Sequence, residues 1–202
     1  MQGEDSGVAK RLILASTSPY RRELLNRLGL PFETAAPGVD EAPLPEESPA
    51  ELASRLARAK ALAVRDPDAV VVGSDQVASL EGRPLGKPGS HAKAVAQLEL
   101  FQGREVLFHT AVCIAAGPDR DLQQHVDLTR VRFRRLPRAD LDRYLRLESA
   151  YDCAGGFKAE GLGVVLFEAI ESSDPTALIG LPLIWVTAAL RNTGLDPLAA
   201  PD

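Results

Sequence analysis

The feature that most constrains this chain is the apolar run AVVV at residues 69–72, which is followed directly by the polar sequence GSDQ at residues 73–76. Consecutive apolar, mostly β-branched residues predict a strand that is buried on both faces of a sheet. Such a sheet needs helices on its faces, which predicts an α/β domain. Ligands of open α/β sheets gather where buried strands end, so a site is expected near Asp75.

Further strands and helices are predicted from hydrophobic periodicity and turn residues. The long antiparallel pair at 104–116 and 122–134 would make the sheet mixed. One domain is expected over residues 11–195, with a disordered tail at 1–10 and a second tail at 196–202. The remaining predictions are strands at 11–15, 32–35, 77–80, 83–85 and 163–170, and helices at 19–28, from Ser48 to 65, from Ser90, at 137–147 and at 183–190. The first three helices are expected to be capped by Ser18, Ser48 and Ser90. On the second helix, the candidates for the polar side are Arg55, Arg58 and Lys60.

The composition is that of an ordinary globular protein and excludes several classes of protein. Of the 202 residues, 45% are hydrophobic and 25% are charged, which excludes a disordered or fibrous chain. The net charge of −5 argues against a protein that coats a nucleic acid polymer. The apolar run at 178–190 is interrupted by Gly180 and Pro182 and is too short to span a bilayer. We therefore expect neither a nucleic acid nor a membrane partner.

The cysteines and the first residues favour a cytoplasmic protein. Two cysteines, Cys113 and Cys153, cannot form a disulfide framework, so a reducing compartment fits best. The first ten residues are polar and acidic, which is the opposite of a signal peptide.

The loop after the first predicted strand is suited to an anion. Hydroxyl-rich residues 16–18 precede Pro19, which fits the first position of a helix whose backbone N–H groups would face the loop. Arg21 and Arg22 lie in the first helical turn, where the helix dipole disfavours cations, and this indicates an anionic partner. Two solvated surface arginines are an equal alternative.

Two other residues are candidates by position alone. A carboxylate at Asp75 can hold a divalent cation or orient a water molecule, although spacing alone favours a turn or helix-cap aspartate. Lys87 lies between Gly86 and Pro88, either as a rigidly placed ammonium group or as a simple exposed turn lysine.

Other familiar sites are not indicated. Neither phosphate-binding glycine pattern, GxxxxGK[ST] or GxGxxG, occurs in the sequence. No histidine has the spacing of a metal ligand, and no histidine lies near Cys153 to activate it as a nucleophile. Packing or exposed structural roles are expected for His91, His109, His125, Cys113 and Trp185.

Six short blocks of sequence occur in a fixed order between about residue 11 and residue 190. They are LILASTSPYRRELL at 12–25, VDE at 39–41, GSDQ at 73–76, GKP at 86–88, DCAGGFKAEG at 152–161 and IGLP at 179–182. Together they resemble the Maf family of nucleoside triphosphate pyrophosphatases. The resemblance covers nearly the whole predicted domain and implies a Maf/Ham1-like fold, a mixed twisted sheet flanked by helices with a cleft between two lobes.

Three positions make the sequence similar to one branch of this family. Members acting on dTTP and UTP carry arginine, threonine and a Tyr-Gly-Ile-Gln segment where this chain has Tyr20, Gln76 and FKAE at 157–160. The resemblance therefore implies a hydrolase that converts 7-methyl-GTP to 7-methyl-GMP and diphosphate and so clears modified nucleotides. One departure is Gly156, where many members have serine.

The resemblance also implies roles for individual residues. Asp75 would accept the proton of the attacking water. A divalent cation, Mg²⁺ or Mn²⁺, would be required, with Asp40, Glu41 and Asp75 as oxygen ligands. The phosphate-binding positions are Ser16, Arg21, Lys60 and Lys87.

Substrate specificity is implied for Tyr20, Gln76 and Glu160. N7-methylation makes guanine cationic, and we expect the Tyr20 ring to stack on it. Glu160 would accept hydrogen bonds from the guanine N1–H and exocyclic amine, and Gln76 would orient the base or sugar.

Two other functions remain open. A pyrophosphatase acting on dTTP, UTP or other non-standard nucleotides would use the same chemistry. A nucleotide-binding regulator, for instance of septum formation, would bind without turnover. The resemblance also suggests a homodimer.

Overall fold

The structure, a computed structural model, describes residues 10–64, 66–117 and 121–199. Residues 1–9 and 200–202 of the two predicted tails, and residues 118–120 of the predicted turn, lie outside the described residues. Residues 196–199 form a turn, in which Asp196 accepts hydrogen bonds from Arg191 and from the Leu198 N–H.

The described residues contain seven strands and five α-helices. The strands are β1 (Arg11–Ala15), β2 (Glu33–Thr34), β3 (Ala69–Leu80), β4 (Arg83–Leu85), β5 (Glu105–Ala116), β6 (Asp121–Phe133) and β7 (Phe167–Glu171). The helices are α1 (Pro19–Asn26), α2 (Pro49–Ala63), α3 (His91–Phe101), α4 (Arg138–Leu147) and α5 (Leu183–Asn192). Short 3₁₀ turns lie at Ala154–Gly156, Leu162–Leu166 and Ala177–Ile179.

The strands form one mixed sheet in the order β2-β1-β3-β5-β6-β7, with β4 also paired to β3. Strands β2, β1 and β3 run parallel, while β3, β5, β6 and β7 pair antiparallel. The mixed α/β class expected from the sequence is therefore confirmed.

Strand β3 changes partner along its length, and this creates an opening in the sheet. Its first part, Ala69–Gly73, pairs with β1, and its last part, Ala78–Leu80, pairs with β4. Between them, residues 74–77 pair with β5 on the other edge but with neither β1 nor β4. The edge of β3 at Asp75 therefore faces a gap between two neighbouring strands.

Two apolar clusters lie under the two parts of β3. Helices α1 and α5 pack with Val70 and Val72 on the first part. Helices α3 and α4, with a group of phenylalanines, pack with Ala78 and Leu80 on the last part. Polar residues separate the two clusters, so the molecule has two lobes joined by a continuous strand.

Helix α2 covers the opposite face of the sheet through small residues. Ala57 and Ala61 are buried against β3 and β5. A Cβ atom on Gly73 would collide with the backbone of both alanines, so glycine is what allows this close approach. Within the described ranges the longest helix, α2, has 15 residues, and no helix is both long and apolar enough to cross a membrane.

Candidate active site

A cleft of about 410 Å³ lies over the gap beside β3. This volume is in the range typical of small-molecule sites. Its walls come from the start of α1, the loop before α2, one face of α2, and the segments around β4, residue 155 and residue 179. The lining residues used below are Ser18, Tyr20, Arg21, Glu41, Lys60, Asp75, Gln76, Lys87, Asp152, Cys153, Glu160 and Gly180.

The centre of the cleft holds one ammonium group between two carboxylates. Lys60 Nζ lies 2.6 Å from Asp75 Oδ1 and 2.5 Å from Glu41 Oε1. Lys60 and Asp75 are only 5% and 8% exposed, whereas the Glu41 side chain is 56% exposed. Although burial alone would raise it, the pKa of Glu41 is lowered overall by its contact with Lys60.

Lys60 reaches this position from the last turn of α2. The helix begins with a capping box, in which the Ser48 hydroxyl accepts from the Glu51 N–H and the Glu51 carboxylate accepts from the Ser48 N–H. Lys60 lies on the face that packs on the sheet, so the expectation that it lies on the polar side of the helix is wrong. Its buried charge is tolerated because Asp75 lies directly opposite it.

The first loop places Arg21 at another wall of the cleft. Ser18 caps α1 by accepting a hydrogen bond from the Arg21 N–H, and Arg21 Nε donates to the Gly180 carbonyl over 3.0 Å. Burial lowers the pKa of the Arg21 guanidinium, and the nearby charges of Asp75 and Glu41 oppose this shift. A cation held this way suits an anionic ligand.

Three other predicted residues have different positions relative to the cleft. Lys87 is exposed on its wall. Ser16 is buried directly after β1, where its hydroxyl accepts from the Ser18 N–H. Ser18 is among the residues that line the cleft, and Ser16 is not. Asp40 is exposed outside the cleft walls and accepts from the Ala42 N–H.

The side chain of Gln76 is fixed by the hydrogen bonds of its amide nitrogen. Its Nε2 lies within hydrogen-bond distance of Thr110 Oγ1 and of the carbonyls of Ala177 and Leu178, at 2.9–3.1 Å. Ser74 similarly donates to the Gly180 carbonyl over 2.9 Å. These polar residues of β3 therefore fix the 177–180 wall of the cleft.

At one edge of the cleft, Tyr20 meets the segment 152–160. The Cys153 thiol donates to the Tyr20 hydroxyl over 3.6 Å, and Lys158 Nζ lies 5.7 Å from the centre of the Tyr20 ring. Glu160 is exposed on the same wall. Burial raises the pKa of the Cys153 thiol to about 11, so it remains protonated at neutral pH.

The described residues contain no group of three or more His, Cys, Asp or Glu side chains arranged to hold a metal ion. Glu41 and Asp75 nevertheless share the Lys60 ammonium group, so their oxygens converge on one point. One or two carboxylates, completed by substrate phosphates and water, are the usual protein ligands of Mg²⁺. The two residues therefore fit a divalent cation that arrives with a phosphorylated substrate.

Sequence reasoning missed several residues of the site. Ser18 was expected as a helix cap but not as a residue of the cleft, Ser74 was not assigned a role, and Lys158 was overlooked as a neighbour of Tyr20. The capping position of Ser18 before Pro19 was visible in the sequence, whereas the contacts of Ser74 and Lys158 depend on residues more than 100 positions away.

Comparisons with known proteins identify a family model and relatives that match nearly the whole chain. The family model described as Maf-like protein matches residues 11–193. A 7-methyl-GTP pyrophosphatase of Cupriavidus metallidurans is 56% identical over 91% of this chain and 93% of its own length. Proteins of the same name from Xanthomonas oryzae pv. oryzae and Burkholderia pseudomallei are 59% and 54% identical, over 91% and 95% of this chain and 97% and 91% of their own lengths.

Among solved structures, a HAM1 protein from Coxiella burnetii aligns with 63% of this chain and 75% of its own, at 16% identity and a TM-score of 0.44. That likeness is too weak to support a conclusion. The family model and the relatives, in contrast, each cover nearly all of the described residues. The chain belongs to the Maf family.

Proposed function

We propose that this protein is a nucleoside triphosphate pyrophosphatase that hydrolyses 7-methyl-GTP to 7-methyl-GMP and diphosphate. The observation that carries the proposal is the polarity of the cleft: Lys60 and a buried carboxylate lie at its centre, further cations lie on its walls, and an aromatic ring and an acid lie at one edge. The names of the relatives support the same substrate.

The cations of the cleft suit a triphosphate. Arg21 of α1, Lys60 of α2 and Lys87 of the loop between β4 and α3 line the same cavity. Phosphoryl transfer depends mainly on positioning and on neutralising charge at the phosphate oxygens, which these side chains supply. Lys60 also holds the Asp75 carboxylate in place, 2.6 Å away.

Asp75 serves as the proton acceptor in this proposal. Water attacks the α-phosphorus, a new P–O bond forms, the bond between the α-phosphorus and the bridging oxygen breaks, and diphosphate leaves. The water proton passes to the Asp75 carboxylate, which is buried at the centre of the cleft. A positioned general base contributes about 10²–10⁴-fold to such a step.

Glu41 and Asp75 would hold the divalent cation, Mg²⁺ or Mn²⁺. When bound, the cation supplies further neutralisation of phosphate charge. Asp40 is not among the residues that line the cleft and accepts from a backbone N–H of its own loop, so within this proposal Glu41 and Asp75 provide the protein ligands.

The base would lie at the edge formed by Tyr20 and Glu160. A cationic base on an aromatic ring gains about 0.5–2 kcal/mol. A carboxylate can accept two hydrogen bonds from the guanine N1–H and exocyclic amine, which uracil and thymine cannot offer. Gln76 acts indirectly, because its amide nitrogen already binds Thr110 and the 177–178 carbonyls.

The decisive experiment measures diphosphate release from 7-methyl-GTP, GTP, UTP and dTTP, with Mg²⁺ or Mn²⁺ and with EDTA. We expect the highest kcat/KM for 7-methyl-GTP and no turnover in EDTA. Asp75→Asn should lower turnover by at least about 100-fold while leaving the thermal unfolding transition in place. Asp68→Asn, an exposed aspartate outside the cleft walls, is the matched control.

Three outcomes would contradict the proposal. Preferred hydrolysis of UTP or dTTP would assign the protein to the pyrimidine-specific pyrophosphatases. Stabilisation by nucleotide without any product would identify a binding protein such as a regulator. Activity of Asp75→Asn above one tenth of the wild-type value would remove Asp75 as the base.

Assembly and compartment are proposed on sequence resemblance and composition. We propose a cytoplasmic homodimer. Sedimentation at micromolar concentration and fractionation of cells test the two statements separately, and neither affects the chemistry of the cleft.

A further inference from the structure

We propose that Lys158 is a specificity-determining residue whose ammonium group limits how strongly Tyr20 can bind a positively charged base. The inference rests on the proposed function and extends it to a residue that does not itself line the described walls of the cleft. It predicts that the wild-type protein discriminates between methylated and unmethylated guanine less than its Tyr20 ring allows.

The backbone of Lys158 is firmly held, which fixes where the side chain starts. Its N–H donates to the hydroxyl of the buried Tyr144 over 3.2 Å. Its carbonyl accepts from the N–H groups of Gly161 and Gly163, at 3.3 and 3.1 Å. A Cβ atom on Gly163 would collide with the Lys158 backbone, so glycine there permits this compact turn.

From this anchor the side chain extends over the Tyr20 ring. Lys158 Nζ lies 5.7 Å from the ring centre, within the range of a cation–π interaction. The residue is half-buried, so water screens its charge only partly. The Tyr20 ring therefore already carries one cation when the cleft is free of nucleotide.

A second cation on the same ring is disfavoured for two reasons. The first ammonium group uses part of the attraction that the ring quadrupole offers, and the two positive charges repel each other. A methylated guanine pays this penalty, whereas an uncharged guanine does not. The attraction of Lys158 for the triphosphate, in contrast, is the same for both nucleotides.

The ratio of the kcat/KM values for 7-methyl-GTP and GTP therefore isolates the effect of Lys158 on the base. Replacing Lys158 by methionine removes the charge and keeps most of the apolar stem. The loss of attraction to the triphosphate lowers kcat/KM for 7-methyl-GTP and GTP alike and cancels in their ratio. What remains is the relief of repulsion, which favours only 7-methyl-GTP.

The experiment measures kcat and KM for 7-methyl-GTP and GTP in the wild type, Lys158→Met, Lys158→Arg and the control Lys93→Met. Lys93 is exposed on α3, outside the cleft walls. We expect the ratio of kcat/KM values, 7-methyl-GTP over GTP, to rise about 3- to 10-fold in Lys158→Met. The change should be in KM, and Lys158→Arg and Lys93→Met should keep the wild-type ratio.

A second measurement does not depend on turnover. Calorimetric binding of 7-methyl-GMP and GMP should show the same rise in the ratio of affinities in Lys158→Met. In a Tyr20→Leu background the effect of Lys158→Met on this ratio should disappear, because the aromatic ring that both the Lys158 ammonium group and the methylated base contact is absent. A general loosening of the fold would not depend on Tyr20 in this way.

The outcomes separate this inference from the proposed function. If the wild type prefers 7-methyl-GTP but Lys158→Met leaves the ratio unchanged or lowers it, the inference is wrong and the proposed function stands. If Lys158→Arg raises the ratio as much as Lys158→Met does, the charge is not the cause and the inference is also wrong. If the wild type neither hydrolyses nor binds methylated guanine nucleotides, both are wrong.

Discussion

At the scale of single residues, the centre of the cleft is built on a buried pair of opposite charges. Lys60 and Asp75 are both almost fully buried, and each compensates the charge of the other. A buried pair of this kind contributes little net stability, because the desolvation penalty offsets the attraction, but removing one partner is costly. Under the proposed function, a position beside the substrate phosphates explains the pair better than a role in folding does.

Glu160 provides the first prediction at this scale. Glu160→Gln keeps the shape of the side chain but removes the charge that accepts from the guanine N1–H and amine. We expect kcat/KM for 7-methyl-GTP to fall about 10- to 100-fold, the usual cost of losing hydrogen bonds to a charged group. The value for UTP should change less than 3-fold, since uracil cannot make the same pair.

Steady-state kinetics on both nucleotides check this prediction. Glu168→Gln, an exposed glutamate on β7, serves as the control and should leave both values unchanged. An equal loss for 7-methyl-GTP and UTP in Glu160→Gln would show that Glu160 does not read the base.

Cys153 provides the second prediction. Burial raises the pKa of its thiol to about 11, above the ordinary value of 9.0, so the folded state disfavours the thiolate. At pH 8 alkylation by iodoacetamide should be about 100-fold slower than for an exposed thiol, and the rate should go on rising with pH up to about 11.

Mass spectrometry of the alkylated peptide follows this reaction, and protein unfolded in urea is the control. There the rate should reach half of its maximum near pH 9, the ordinary range of a cysteine pKa. A half-maximal rate near pH 9 in the folded protein would contradict the burial of this thiol.

Some residue roles were accessible from the sequence and others were not. The apolar run at 69–72 correctly indicated a buried strand, and Asp75, which follows it, lines the cleft beside β3. The helical pattern of α2 failed at Lys60, because a periodicity rule assigns charge to the solvent side unless a buried partner is known. That partner, Asp75, is 15 residues away, and only the packing of α2 on β3 brings the two together.

At the scale of elements, β3 is the main difference between prediction and structure. The sequence predicted a strand that ends at residue 72 and a second one at 77–80, whereas one strand runs over Ala69–Leu80. The polar residues 73–76 were interpreted as the end of the first of these strands. They continue the strand because the Ser74, Asp75 and Gln76 side chains each find a hydrogen-bond partner.

A second element differs for a local reason. The strand predicted at 163–170 is a 3₁₀ turn over Leu162–Leu166 followed by β7, Phe167–Glu171. The Gly163 N–H donates to the Lys158 carbonyl and so bends the chain before the strand begins. Hydrophobic alternation cannot reveal such a turn, whereas the capped starts of α1, α2 and α3 were readable because their serines act locally.

The contact between α2 and β3 gives a prediction at this scale. Gly73→Ala places a methyl group against the backbone of Ala57 and Ala61, where no flexible side chain can move aside. Overpacking of this kind costs about 1–3 kcal/mol, and the Tm should fall by about 2–12 °C. Since α2 carries Lys60, the KM for the triphosphate should rise as well.

Thermal unfolding and kinetics of the same variant test this. Gly86→Ala is the matched control for stability, because a Cβ atom there meets open space and Gly86 needs no left-handed conformation. An unchanged Tm in Gly73→Ala would contradict the close approach of α2 to the sheet.

At the scale of the whole molecule, the cleft is a property of two lobes and one strand. The gap exists because β1 and β4 pair with different parts of the same edge of β3. The sequence predicted a mixed sheet and, through the family resemblance, a cleft between lobes. It did not indicate which strand spans the lobes, since that depends on strand pairing between distant segments.

This architecture gives the last prediction. Because β3 belongs to both lobes, and β5 pairs along it over Val71–Ser79, the chain should unfold in one cooperative transition. Because groups from both lobes line the cleft, a nucleotide bound there as proposed should raise the temperature of that single transition. At 100 times its Kd, 7-methyl-GMP should add about 2.7 kcal/mol, or about 5–10 °C in Tm. Scanning calorimetry with and without the nucleotide measures this, with adenosine as the control that lacks both the phosphate and the methylated guanine. Two separate transitions, or a nucleotide shift confined to one of them, would mean that the lobes are not coupled through β3.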